Sequence, residues 1–275
     1  MDEILTISDQ EYLRIITSVR TARNIDIASY QPAITKHRFA RAAQIYGFKD
    51  IPSMIERLQT DKVFMDMFLK EIKASTTEMF RDPQTWLEIE NILRDKLREE
   101  AILKIWVPDV CGDDELLSIL VLLSRTEMLN KTTIYATSAY QHCLELCQKG
   151  FVDNKKYEIS ETNFKKMNEQ NRLEDYVTPC NKGHRFSQHL LSKVIFLNQS
   201  VVKDNPPDKG MNLILFRNRS LYYSTPAKKR LLEQLTGSLL PGGYLALGIG
   251  ENLNGMDVAT QYTQVSKTEK IFRKK

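Results

Sequence analysis

Up to about residue 75 the apolar positions recur every three or four residues, without any stretch of strict alternation, and helices are predicted throughout. Ser8-Asp9-Gln10-Glu11 has the form of a helix cap, and Tyr12, Ile15, Ile16 and Val19 make the apolar face that follows it. A second helix is expected between Pro32 and Gly47, a third from Ile51 with Met54, Ile55 and Leu58 inward, and a fourth over 61–72. Past residue 100 the pattern changes. Short continuous apolar runs alternate with helical periods, as strands buried on both faces of a parallel sheet would require. Leu103 to Val107 and Thr132 to Ala136 are the first such strands, with helices from Glu115 to Leu123 and from Tyr140 to Lys149 after them, and a helix from Gln84 to about Glu99 before them. Met211 to Phe216, a helix from Pro226 to Leu240, a stop at Pro241-Gly242-Gly243 and a strand from Tyr244 to Gly248 form a βαβ-like unit. Between these regions 164–176 reads as helix, and 175–178 and 185–200 read as strands about an Asn181-Lys182-Gly183 turn, a small β insertion. The last predicted element is an edge hairpin over 261–273. Ligands of open α/β sheets sit beyond the carboxyl ends of the strands, so Arg217, Asn218, Tyr222 and 248–251 are expected to share one crevice.

Composition narrows the class without choosing a chemistry. A chain of 275 residues with 42% hydrophobic content can hold one large domain or two modest ones with a proper core. The net charge of +4 is mild and predicts no nucleic-acid partner. No run approaches the ~20 apolar residues of a membrane span, and Met1-Asp2-Glu3 lacks the basic and apolar regions of a signal peptide, so a cytoplasmic protein without membrane insertion is expected. Cys111, Cys143, Cys147 and Cys180 follow no disulfide or zinc spacing, which predicts four reduced, structural cysteines. His37, His142, His184 and His189 are not spaced as a metal site, and no metal is predicted.

Several segments together resemble the CheR family of chemotaxis receptor methyltransferases. They are Thr76-Thr-Glu-Met-Phe-Arg-Asp-Pro83, Arg217-Asn218 with Tyr222-Tyr223, Leu240-Pro-Gly-Gly-Tyr-Leu-Ala-Leu-Gly248, Glu251, and Val265-Ser-Lys-Thr268 followed by Ile271-Phe-Arg273. The resemblance covers nearly the whole chain. It implies an α/β fold: a Rossmann-like S-adenosylmethionine-dependent methyltransferase domain over 76–275, a small β subdomain inserted at about 165–195, and an all-helical N-terminal domain over 1–75. It also implies transfer of a methyl group from S-adenosylmethionine to glutamates of a receptor or other signalling protein with acidic methylation sites, by a monomer.

By the same resemblance Arg81 and Tyr222 border the methyl-transfer centre and face one another, with the helical domain over the carboxyl edge of the sheet. Thr77 and Glu115 hold the methionine end, Arg81, Ser138, Arg217 and Asn218 complete the cofactor's surround, and Arg38 and Arg41 meet the acidic substrate. The departures cluster at the cofactor. The family's first strand leads into a Gly/Ser/Thr-rich turn ending in Gly-Glu-Glu-Pro-Tyr-Ser, and here Asp109 and Asp113 take glycine positions. Ser138 stands where an aspartate receives the ribose hydroxyls, Ser200 and Ser75 replace asparagines, and Ala42 and Gln44 replace basic residues of the second helix. The alternative implied by these departures is a catalytically degenerate member serving as a binding or scaffold module in a signalling assembly.

Overall fold

The computed structural model describes residues 5–73, 78–112 and 114–275. The chain divides into two compact bodies. The described residues up to Lys73, together with Tyr222–Lys228, make the first. It contains α1 (Asp9–Arg23), α2 (Pro32–Ile45), α3 (Ile51–Thr60) and α4 (Lys62–Ile72). The starts of α1, α3 and α4 are set by side chains that satisfy otherwise orphaned N–H groups, and α2 opens on Pro32. The Ser8 hydroxyl accepts from Glu11 N while the Glu11 carboxylate accepts from Ser8 N at 2.9 Å, a capping box. Asp50 accepts from Ser53 N at 2.8 Å, and Asp61 accepts from Val63 N and Phe64 N at 2.9 Å each. The buried faces supply Ile15, Val19, Phe39, Met54, Ile55 and Phe68, with the Phe39 and Phe68 ring centroids 5.4 Å apart. Residues from far along the chain complete this body. Tyr223 stacks on Tyr30 with centroids 4.8 Å apart and pairs with it as an isolated antiparallel bridge.

The second body comprises the described residues from 78 to Leu221 and Lys229–Lys275. Its elements in order are α5 (Pro83–Asp95), β1 (Leu103–Val107), α6 (Asp114–Arg125), β2 (Thr132–Ser138), α7 (Gln141–Lys149), β3 (Phe151–Asp153), α8 (Asn154–Met167), β4 (Val177–Cys180), β5 (Gly183–Phe186), α9 (Gln188–Leu191), β6 (Val194–Asn198), β7 (Met211–Leu215), α10 (Thr225–Ser238, whose first turn lies in the other body), β8 (Leu239–Ala246), β9 (Tyr262–Ser266) and β10 (Ile271–Lys274). One sheet runs β6-β2-β1-β7-β8-β10-β9, parallel from β6 to β8 and antiparallel through β10 and β9. The order reverses between β1 and β7, which places a switch point there. β7 is buried along its whole length and is apolar except for Asn212, and α6 buries Leu116, Ile119, Leu120 and Leu123 in the same core.

The structure departs from the sequence reading in places. Pro241-Gly242-Gly243 lies inside β8, at a register shift against β7, rather than turning the chain ahead of that strand. A Cβ at Gly243 would fall 2.8 Å from Met211 O, so glycine permits the close approach of two backbones. The strand expected over 185–200 is three elements: β5 ends at Phe186, α9 intervenes, and β6 joins the main sheet. The small sheet β3-β5-β4 accordingly begins at Phe151, before the expected insertion. Among the described residues no helix is long and apolar enough to cross a membrane.

One packing contact carries a pH signature. The Tyr262 hydroxyl donates to Thr236 Oγ1 at 2.9 Å, and burial pushes the phenol up to about 12 from its ordinary value of 10.0. The unfolded chain loses this proton first, so the contribution is intact below pH 10.0 and disappears as pH rises through about 12. Alkaline denaturation of the wild type should show an extra loss of about 1 to 3 kcal/mol across that window. Tyr262→Phe should flatten it; equal slopes for the two proteins would rule out this assignment.

Candidate functional site

Adjacent parallel strands deliver their carboxyl-end loops side by side, and the loops after β1, β2 and β7 meet at the switch point. After β1 the chain enters left-handed backbone at Asp109 (φ 58°) and again at Gly112 (φ 60°). Asp109 therefore occupies the kind of backbone position for which glycine is the easier residue. Val110 N donates to Thr137 O at 2.9 Å and ties this loop to the end of β2.

The exit from β7 is held by charge. Arg217 is fully buried, with its guanidinium 5.3 Å from the Trp86 ring. Its Nη1 and Nη2 donate to Arg81 O at 3.2 Å each, Nη2 also donates to Asp82 Oδ2 at 2.8 Å, and Nη1 lies 3.6 Å from Glu115 Oε1. Arg219, also buried, brings Nη2 within 3.9 Å of Glu115 Oε2 and donates from Nη1 to Asp109 O. Glu115, near the start of α6, thus faces two guanidinium groups in a nearly dry setting. Opposite them Glu251 organises the backbone. Its carboxylate accepts from Asn218 N at 2.8 Å, Ser220 N at 2.7 Å, Ser220 Oγ at 2.6 Å and Gly248 N at 2.6 Å. Asn218 is left-handed (φ 56°), and a Cβ on Gly248 would lie 2.8 Å from its N. Gly248→Ala should cost about 1 to 3 kcal/mol, read from the urea midpoint, because the backbone it meets is fixed by Glu251. A shift below about 0.5 kcal/mol would mean that this loop yields easily.

Of the expected site residues, the structure brings together Glu115, Arg217 and Asn218, with the Arg81 carbonyl on Arg217 while the Arg81 side chain is exposed. Ser138 is fully buried at the end of β2, and its hydroxyl accepts from Tyr140 N at 3.3 Å. In the helical body the Arg38 guanidinium sits 4.9 Å from the Tyr222 ring centroid and donates to Ile72 O at 2.7 Å. Arg41 Nε is 3.8 Å from Glu71. Tyr222 and Arg81 belong to different bodies. Thr77, Asp113 and Ser75 lie outside the described residues. Ser200 N donates to Asp204 Oδ2 at 2.7 Å.

Sequence reasoning missed Arg219 and Asp82 as site residues, and it placed Glu251 in the crevice without its bonding role. The signal was present for Arg219, a third polar residue directly after an apolar strand, but charged residues read as solvent-facing by default. The expectation of four reduced cysteines is corrected: Cys111, in the loop after β1, and Cys143, in the first turn of α7, form a disulfide with Cα atoms 4.2 Å apart. The pairing of β1 with β2 brings these loops together across 32 residues of sequence, which no local spacing reveals.

Residues 75–271 match the family described as CheR methyltransferase, SAM binding domain. The chain belongs to the CheR methyltransferase family. Relatives align along nearly all of this CheR-family chain. The Cher3 protein of Pseudomonas putida is 24% identical over 267 residues, covering 97% of each chain. The chemotaxis protein methyltransferase 1 of Vibrio cholerae is 23% identical over 265 residues, covering 92% of each. The chemotaxis protein methyltransferase of Listeria monocytogenes is 22% identical over 251 residues, covering 89% of this chain and 91% of that one. S-adenosylmethionine is the cofactor of the matched domain. The residues present suit it in chemistry: Glu115 offers a buried carboxylate to a cationic ligand at the carboxyl end of β1, and the Asn218 backbone is pre-set by Glu251.

Proposed function

We propose that this CheR-family methyltransferase is a protein-glutamate O-methyltransferase acting on the acidic methylation sites of chemotaxis-type receptors. The observation that carries the reading is Glu115, a buried carboxylate held at the switch point of a CheR domain by Arg217. The Vibrio cholerae and Listeria monocytogenes relatives are named chemotaxis protein methyltransferases, which supports a protein substrate in chemotaxis. When bound, S-adenosylmethionine supplies a methyl group made electrophilic by its sulfonium. The chain's own work is to hold and orient. Glu115 receives the methionine end, Ser138 offers a hydroxyl to the ribose, and Asn218 frames the ligand with a backbone fixed by Glu251. Arg81 borders the transfer centre, and in the helical body Arg38 and Arg41 present positive charge to the acidic substrate. In-line displacement by a glutamate carboxylate calls for alignment and exclusion of water, with no protein acid or base.

The test is calorimetric titration with S-adenosylmethionine and S-adenosylhomocysteine, joined to transfer of labelled methyl to receptor fragments. Binding at roughly micromolar Kd, about −8 kcal/mol, with label on glutamate is expected. Absence of both heat and label would remove the reading. One observation favours the scaffold alternative: Arg219 places a guanidinium against Glu115 and Asp109 O, where a cationic ligand would have to compete with it. On that alternative the wild type gives no heat, and Ser138→Asp combined with Arg219→Ala should restore binding. On the enzyme reading Ser138→Asp alone should tighten S-adenosylhomocysteine by about 1 to 3 kcal/mol where the ribose bond is recovered.

A further inference from the structure

Cys111 and Cys143 serve none of the roles assigned above, yet Cys111 sits on the loop after β1 and Cys143 in the first turn of the helix that follows β2. Cys111 lies between the two left-handed residues of the β1 loop, Asp109 and Gly112, and Cys143 lies five positions beyond Ser138. Both are almost wholly buried. His142, half-buried, places Nε2 at 3.3 Å from Cys143 Sγ. An imidazole at that distance can take the thiol proton and leave a thiolate, the form that reacts.

We propose that Cys111 and Cys143 are a reversible dithiol/disulfide site whose closure clips the β1 loop to α7 and lowers the affinity of the adjacent crevice for S-adenosyl ligands. The inference rests on the cofactor use proposed above. The oxidant is hydrogen peroxide, small enough to reach a buried sulfur. The Cys143 thiolate attacks one peroxide oxygen, the O–O bond breaks, and hydroxide leaves and is protonated to water, giving a sulfenic acid. The Cys111 thiol then displaces the sulfenic oxygen as a second water and the S–S bond forms. The two sulfurs together lose two electrons, and the peroxide gains them. A small dithiol reverses the step by exchange. In the oxidised state the loop is held by the disulfide, by Val110 N on Thr137 O and by Arg219 on Asp109 O. Loss of the first restraint lets residues 108–112 adjust to a ligand.

The experiment compares full-length protein treated with hydrogen peroxide or with dithiothreitol. After denaturing alkylation, the reduced form should carry an adduct on each of the four cysteines and the oxidised form two fewer, with exposed Cys180 labelled in both. Oxidation should weaken S-adenosylhomocysteine binding roughly tenfold and slow hydrogen exchange over 108–112. Cys143→Ser, or Cys111→Ala should the first fold poorly, should show neither response. His142→Phe, which removes the proton acceptor but neither thiol, should slow oxidation roughly tenfold and move its pH midpoint upward. A full set of adducts after peroxide overturns the proposal, as does equal affinity in both redox forms. So does one equivalent of zinc released from the purified protein, which would make Cys111, His142 and Cys143, whose ligand atoms lie within 4.8 Å of one another, a metal centre instead. If neither form binds the nucleoside, the methyltransferase reading and the affinity effect both fall, while adduct mass and hydrogen exchange still decide the dithiol couple and the loop clip.

Discussion

Glu251→Ala should destabilise the sheet-bearing body by about 3 to 5 kcal/mol, at the top of the range for a single substitution. The carboxylate is buried and accepts from three backbone N–H groups and one hydroxyl, so its removal strands donors that already lie between 2.6 and 2.8 Å from it. Each stranded donor costs roughly 1 to 3 kcal/mol, and a water entering the space recovers part of the sum. Glu251→Gln should be little better, since its amide nitrogen would face N–H groups. The measurement is the urea midpoint at unchanged slope. A loss below about 1 kcal/mol would show that the loop from Asn218 to Gly248 has another means of support.

Arg217→Met should cost about 3 to 5 kcal/mol as well, for a different reason. The methionine keeps the apolar contact with Trp86 but leaves Asp82, the Arg81 carbonyl and much of the Glu115 charge without their cation. Arg217→Lys should recover only part of the loss, because a point charge cannot serve the Arg81 carbonyl and Asp82 in the same fork. The double variant Arg217→Met with Glu115→Gln should be distinctly more stable than the sum of the two single losses predicts, since it removes both charges of one pair. Strict additivity in that cycle would show that Arg219 alone governs Glu115.

Where the sequence made the fold legible, burial on both faces was the reason. β1, β7 and α6 are apolar almost without interruption, and their places follow from composition alone. Pro241-Gly242-Gly243 misled because it has the look of a turn, while its function is a backbone approach to Met211 that only a long-range pairing creates. β3 and β5 have 3 and 4 residues, too few for alternation to register. At the site, Glu115, Arg217 and Asn218 were reachable through family likeness. The clasp of Arg219 on the β1 loop and the disulfide beside it were not, because both depend on which strands lie next to one another rather than on any local pattern.

The membership of Tyr222–Lys228 in the helical body bears on the order in which the protein can be made. As the chain emerges amino end first, α1 to α4 are complete long before Tyr223 exists to stack on Tyr30 or Tyr222 to lie against Arg38. The four helices must wait, partly unfinished, while nearly the whole parallel sheet is synthesised. For the same reason a fragment ending near residue 74 should be a poorer folder than its helix count suggests, and a single proteolytic cut there should not release it in native form. A gene fusion or truncation that cuts near residue 74 therefore parts the helical body from Tyr222–Lys228, which belong to it.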